Sequence, residues 1–200
     1  MADNASTTSD SALQRILPHL QHSNDDDRPV VVMTCGIAGS GKSTLSKGIV
    51  NELPNFVRLS VDSYIYKTYG LFKIDYPEEK YSEYLDEGQE HVKKELVRLL
   101  QEKQKDIVLD LSFWNREYRE EYKEIIVAYG GRSVLVFLDA DTELLERRIA
   151  GRRAARDALA LHDKGRDGDS AYNIEKDTFE MYCNGFERPV GEGEIVIKVV

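Results

Sequence analysis

The stretch Gly36-Ile37-Ala38-Gly39-Ser40-Gly41-Lys42-Ser43-Thr44 decides the reading of this chain. It has the form GxxxxGK[ST], a loop whose backbone N–H groups cradle phosphates while the lysine reaches the β- and γ-phosphates and the following hydroxyl ligates Mg²⁺. Its flanks supply what the mechanism requires. Val30-Val31-Val32-Met33-Thr34-Cys35 is an apolar, β-rich run, and Leu45 to Leu53 can form a helix that stops at Pro54. Strand, glycine loop and helix in that order place an anion at the positive end of a helix. Gly36, Ala38, Gly39, Ser40, Gly41, Lys42, Ser43 and Thr44 are therefore the candidate nucleotide contacts, with ATP and Mg²⁺ as the expected ligands.

Bulk properties bound the rest. A chain of 200 residues with 41% hydrophobic and 32% charged residues can bury one core. The formal charge of −9 disfavours adhesion to long nucleic acids or anionic membranes. Two cysteines, Cys35 and Cys183, make no disulfide framework, which fits a reducing compartment. No apolar run approaches a membrane span, and the N-terminus lacks signal-peptide features, so a cytoplasmic protein is expected. Residues 1–28 read as a flexible tail. A short amphipathic helix over 11–22 is interrupted by Pro18, and the folded domain is expected over 29–200.

Within that domain strand and helix signals alternate. Strands are expected at 30–35, 56–61, 106–111, 133–138 and 194–200, and helices at 78–105, 116–129, 142–156 and 174–184. Three of the strands are continuous apolar runs, as in a parallel sheet covered on both faces. The alternation implies a three-layer α/β sandwich, with ligands bound beyond the carboxyl ends of its strands. Those ends carry Asp62, Asp110 and Asp139. Asp62 is the candidate general base for a hydroxyl acceptor. Asp110, closing Ile107-Val108-Leu109, has the pattern of a Walker-B carboxylate that orders Mg²⁺. Asp139 and Asp141 precede a helix and read as caps.

Arg148 and Arg152 stand four apart on one helix face. They can stabilise charge on the transferring phosphate at the entry to a polar lid over about 154–171. The acceptor is expected between strands two and three. That region carries Tyr64, Tyr66 and further aromatics, and seven carboxylates with one lysine from Asp75 to Glu90. Asp62, Tyr64, Tyr66, Trp114 and Arg116 are the acceptor-binding candidates.

Together the phosphate loop, Asp62, the stretch VLDLSFWNREYREEYKE, the helix ELLERRIAGRR and FEMYCNGFERP resemble the small P-loop kinases related to chloramphenicol phosphotransferase, zeta-toxin and polynucleotide 5′-kinase. The resemblance covers roughly residues 30–193. It implies a five-stranded parallel sheet in the order 2-3-1-4-5, ATP-dependent phosphorylation of a hydroxyl, and Asp62 as base. ERRIAGRR is also similar to the lid entry of adenylate kinases, which implies that Arg148 covers adenine and Arg152 touches phosphate. A small-molecule acceptor is the leading expectation. The alternatives are a polynucleotide or nucleotide 5′-hydroxyl kinase and a nucleotide-dependent switch without an acceptor.

Overall fold

In the computed structural model, residues 3–157, 174 and 176–200 are described. The lid expected over about 154–171 lies almost wholly outside them.

Five parallel strands, β1 (Val30–Cys35), β2 (Phe56–Leu59), β3 (Asp106–Leu109), β4 (Arg132–Ala140) and β5 (Ile195–Val199), form one sheet in the order β2-β3-β1-β4-β5. β1 lies at its centre, with Val31 opposite Ile107 of β3 and Ser133 of β4. Side chains alternate across a strand, so a strand covered on both faces must be apolar throughout. On one face Val31, Met33, Ile107, Leu109 and Phe137 share a core cluster. On the other Val30, Val32, Val108, Val136 and Ile197 do so.

The first face is covered by α3 (Val61–Tyr69), α4 (Tyr81–Glu102) and α5 (Arg116–Ala128), through Ile65, Val92, Leu96, Tyr122 and Ile126. The second is covered by α1 (Asp3–Leu20) and α2 (Lys42–Glu52), through Leu13, Ile16, Leu45 and Ile49. α6 (Thr142–Asp157) and α7 (Lys176–Gly185) pack beside the phosphate loop, where Leu145, Ile149 and Phe179 enclose a smaller cluster against Ile37 and Ala38.

Two sequence expectations are corrected here. Residues 11–22 are not a flexible tail. Ala12, Leu13, Ile16 and Leu20 are buried, and each fully buried leucine or isoleucine contributes about 1.5–3 kcal/mol. Pro18 sits within the last turn of α1, where it forgoes the helical bond to the Gln14 carbonyl without ending the helix before Leu20. Arg132 Nη1 and Nη2 donate to the carbonyls of His19 (2.9 Å) and Gln21 (2.7 Å), closing the end of the helix. His22 Nε2 lies 3.0 Å from Asp106 Oδ2 and pins the following turn to β3.

Asp139 does not cap α6. It is buried within β4, between Arg188 (2.7 Å) and Lys198. Burial raises its pKa, but the hydrogen bonds from Lys198 and Arg188 outweigh that and hold it below the usual carboxylate range.

Candidate active site

The loop between β1 and α2 turns back over the carboxyl end of β1. Gly36 has φ +147°, and a Cβ there would lie 2.7 Å from Ser40 Oγ and 3.0 Å from the Leu138 carbonyl, so only glycine fits. The Gly36 N–H donates to the Ser112 carbonyl (3.0 Å), and Cys35 Sγ lies 3.3 Å from the Phe113 carbonyl. These contacts tie the phosphate loop to the loop between β3 and α5. α2 begins at Lys42 after Gly41, with no side chain capping its first N–H groups. Uncapped donors of this kind are suited to receive an anion. Ser40 Oγ is buried and has no hydrogen-bond partner among the described residues.

Lys42 is folded onto its own loop. Its Nζ donates to the carbonyls of Gly36 (2.8 Å) and Ile37 (3.1 Å). Burial pushes its pKa below the ordinary lysine range, opposed by the negative charges of Asp110 and Asp62, while Arg152 adds to the lowering. Lys42, Asp62, Asp110 and Arg152 thus share one electrostatic neighbourhood. All four, with Ser43, Thr44 and Arg148, line a single cleft of about 570 Å³. Arg148 reaches across the phosphate loop, Nη1 to the Gly39 carbonyl at 3.4 Å and Nη2 to the Val200 carbonyl at 3.2 Å.

Asp62 lies in the first turn of α3, because β2 ends at Leu59. Ser60 caps that helix, its Oγ accepting the Ser63 N–H at 3.3 Å. Asp62 is exposed at the cleft wall and does not serve as the cap. Asp110 is buried and paired with Arg58 of β2, whose Nε donates to Oδ2 at 2.8 Å and whose Nη2 donates to the same oxygen. Sequence reasoning missed Arg58 because the pair joins residues 52 apart.

The stretch that carried the resemblance divides its labour. Trp114 lines the cleft and is seated against Gly185 of α7. Asn115 caps α5, its Oδ1 accepting the Tyr118 N–H at 2.8 Å. Phe113 is fully buried with φ +46°, a left-handed conformation unusual outside glycine. Its carbonyl accepts from Arg119 Nη1 at 2.9 Å. Arg119 is itself buried and bidentate with Glu192, Nε to Oε2 at 2.8 Å and Nη2 to Oε1 at 2.6 Å. This strut fixes the loop after β3 to the segment before β5.

Three acceptor candidates do not line the cleft. Tyr64 donates to Glu87 and stacks on His91 at 4.2 Å. Tyr66 stands on the same helix outside the cleft lining. Arg116 points to solvent, paired with Glu120 at 2.9 Å. The cleft instead takes Tyr81, Leu85 and Gln89 from α4. Their spacing of four places them on one helix face, a signal the sequence carried. Tyr182 and Phe186, at and just after α7, complete this wall.

The family model described as an AAA domain matches residues 31–172. The chain belongs to this AAA-domain family. Comparison with curated proteins finds no match. Among solved structures, the chain is similar to a candidate kinase from Chloroflexus aurantiacus, with 16% identity and TM-score 0.62 over 85% of this chain and 88% of that one. It is also similar to a chain of the Pnkp1/Rnl/Hen1 RNA repair complex, with 18% identity and TM-score 0.60 over 82% of this chain but 44% of that one. A third similarity is to the Mycobacterium tuberculosis APS kinase CysC in complex with AMPPNP and APS, with 17% identity and TM-score 0.54 over 86% and 88%. The fold of this AAA-domain chain, with its 2-3-1-4-5 parallel sheet, is that of the P-loop kinases. Among the described residues no helix is long and apolar enough to cross a membrane.

Proposed function

We propose that this chain is an ATP-dependent phosphotransferase that moves the γ-phosphate to a hydroxyl of a small molecule. The observation that carries the reading is one cleft holding both halves of the chemistry. The uncapped start of α2 with Lys42 lies on one side, and Asp62, released from capping by Ser60, lies on the other.

In this reading the loop N–H groups and Lys42 hold the triphosphate, which requires Lys42 to exchange its two loop carbonyls for phosphate oxygens. Asp62 takes the acceptor proton as the acceptor oxygen bonds to phosphorus, and ADP departs. Arg148 and Arg152 stabilise the charge of the transferring group. The Ser43 hydroxyl and the Asp110 carboxylate are hard oxygen donors that fit Mg²⁺. Asp110 Oδ2 is committed to Arg58, so Oδ1 is the oxygen suited to the ion or to its water. When bound, Mg²⁺ would neutralise phosphate charge.

The test is a screen of ATP consumption against hydroxyl-bearing metabolites, nucleosides and 5′-hydroxyl oligonucleotides, with products identified by mass spectrometry. A phosphate monoester formed from a small molecule supports the reading. ATP binding without transfer to any member would count against it and favour a nucleotide-dependent switch. Transfer confined to oligonucleotides would favour a polynucleotide kinase.

A further inference from the structure

We infer that the acceptor half of this cleft takes an uncharged, hydroxyl-bearing ring compound and discriminates against phosphate-, sulfate- or carboxylate-bearing acceptors. The inference rests on the phosphotransferase reading and adds the chemical class of its substrate.

Charge is divided sharply across the cleft. Among the described residues, the cations that line it are Lys42, Arg148 and Arg152. All three belong to the phosphate-loop side or to α6, where a triphosphate would engage them. The facing wall comes from α4, the loop after β3 and the α7 end, and it offers Tyr81, Leu85, Gln89, Trp114 and Phe186. The formal charges beside it are the carboxylates of Asp62 and Asp110. An anionic acceptor would shed water against this wall without gaining a cation from the described residues, and would face the Asp62 carboxylate.

The acidic run before and within α4 does not alter this balance, because it lies outside the cleft lining and five of its carboxylates are engaged elsewhere. Glu87 accepts from the hydroxyls of Tyr64 and Tyr69. Glu78, Glu83 and Glu90 pair with Lys73, Lys80 and Lys94. Asp75 accepts the Leu71 N–H at 2.7 Å. None of the five lines the cleft.

A cationic acceptor is also disfavoured, since it would pair with Asp62 and lower the basicity the transfer needs. Gln89 is the amide of the α4 face and can both donate to and accept from ring substituents. The aromatic side chains offer faces on which a ring can stack. In the transfer, the acceptor O–H bond breaks with its proton passing to Asp62. The acceptor oxygen bonds to Pγ, and the bond from Pγ to the β–γ bridging oxygen breaks to release ADP.

Trp114 is the sole tryptophan of the chain and lines this wall, so its fluorescence reports occupancy. With the full chain saturated with AMPPNP, two matched pairs are titrated: tyrosol against 4-hydroxyphenylacetate, and cytidine against cytidine 5′-monophosphate. The neutral member of at least one pair is expected to bind at least about tenfold more tightly than its anion. Equal or tighter binding of the anions, or no response to either neutral compound, would overturn the inference.

Gln89→Arg places a cation on the wall and should narrow or reverse the preference, whereas Gln89→Glu should widen it. An unchanged preference in both variants, with AMPPNP binding intact, would also overturn the assignment. Replacing AMPPNP with ATP separates the two levels. Neutral ligands that bind but receive no phosphate would sink the phosphotransferase reading and leave the ligand class standing. Transfer chiefly to the anionic members would do the reverse.

Discussion

Arg58 of β2 and Asp110 at the end of β3 form a buried ion pair, with Arg58 Nε donating to Asp110 Oδ2 at 2.8 Å. Their side chains are 15% and 4% exposed, so water can replace either partner only poorly. Arg58→Met would leave the Asp110 carboxylate buried beside the phosphate loop without its guanidinium. Removing one partner of such a pair costs about 3–5 kcal/mol. Urea unfolding should show a loss of this size, and Asp110→Asn in the Arg58→Met background should recover part of it. If Arg58→Met unfolds like the wild type, the pair has no structural weight.

The base assignment makes a separate demand. Asp62 is exposed on the cleft wall and Ser60 performs the helix capping. Asp62→Asn should therefore fold normally and bind ATP with little change while transfer falls by about 10²–10⁴-fold. Steady-state kinetics on whichever acceptor the screen yields, paired with calorimetric ATP titration, separates the two effects. Full transfer by the variant would return Asp62 to a structural role.

Acid sensitivity should reside partly in Glu192. Hydrogen bonds from Arg119 hold its pKa below the ordinary 4.5, against the opposing effect of burial. A carboxylate whose folded pKa is depressed stabilises the fold fully above the unfolded value, and that stability is lost as pH falls through the folded value. Stability measured by urea unfolding should thus decline below about pH 4.5. Glu192→Gln should be less stable than wild type at pH 7 by about 3 kcal/mol, with a shallower decline toward pH 3. Asp139 has the same sign of dependence through Lys198 and Arg188, so some acid loss should persist in the variant. Parallel curves for the two proteins would remove Glu192 as a source.

Much of the sheet was legible because its strands are continuous apolar runs, and the phosphate loop because its pattern is local. What escaped was set by distance or by helical phase. Asp139 pairs with Lys198, 59 residues away, and no local pattern announces that bond. α1 looked like a tail because its leading residues are polar and Pro18 suggested a break, yet Leu13, Ile16 and Leu20 complete a core face. Tyr64 and Tyr66 share the acceptor region's composition but not the rotational phase that faces the cleft. Tyr81, Leu85 and Gln89 have that phase, and the fourfold spacing on α4 could have singled them out. Gln89 lacks the charge or aromaticity that draws attention in a sequence.

The seat of Trp114 offers a final test of how the acceptor wall is assembled. A Cβ added at Gly185 would lie 2.9 Å from Trp114 Cζ3, inside van der Waals contact. The conflicting atom is the far edge of a side-chain ring, so the indole can tilt away while the backbone stays in place. Gly185 ends α7, where alanine gains up to about 1 kcal/mol in helix propensity, offsetting the displacement. Gly185→Ala should therefore change stability by less than about 1 kcal/mol. The emission maximum of the single tryptophan should shift, and AMPPNP affinity should stay within about twofold because the phosphate loop is untouched. Binding of a neutral ring acceptor should weaken by about tenfold, since the stacking face has moved. An unshifted emission spectrum would show that Trp114 does not rest on Gly185 in solution. A shifted spectrum with unchanged acceptor affinity would remove the indole from the acceptor wall.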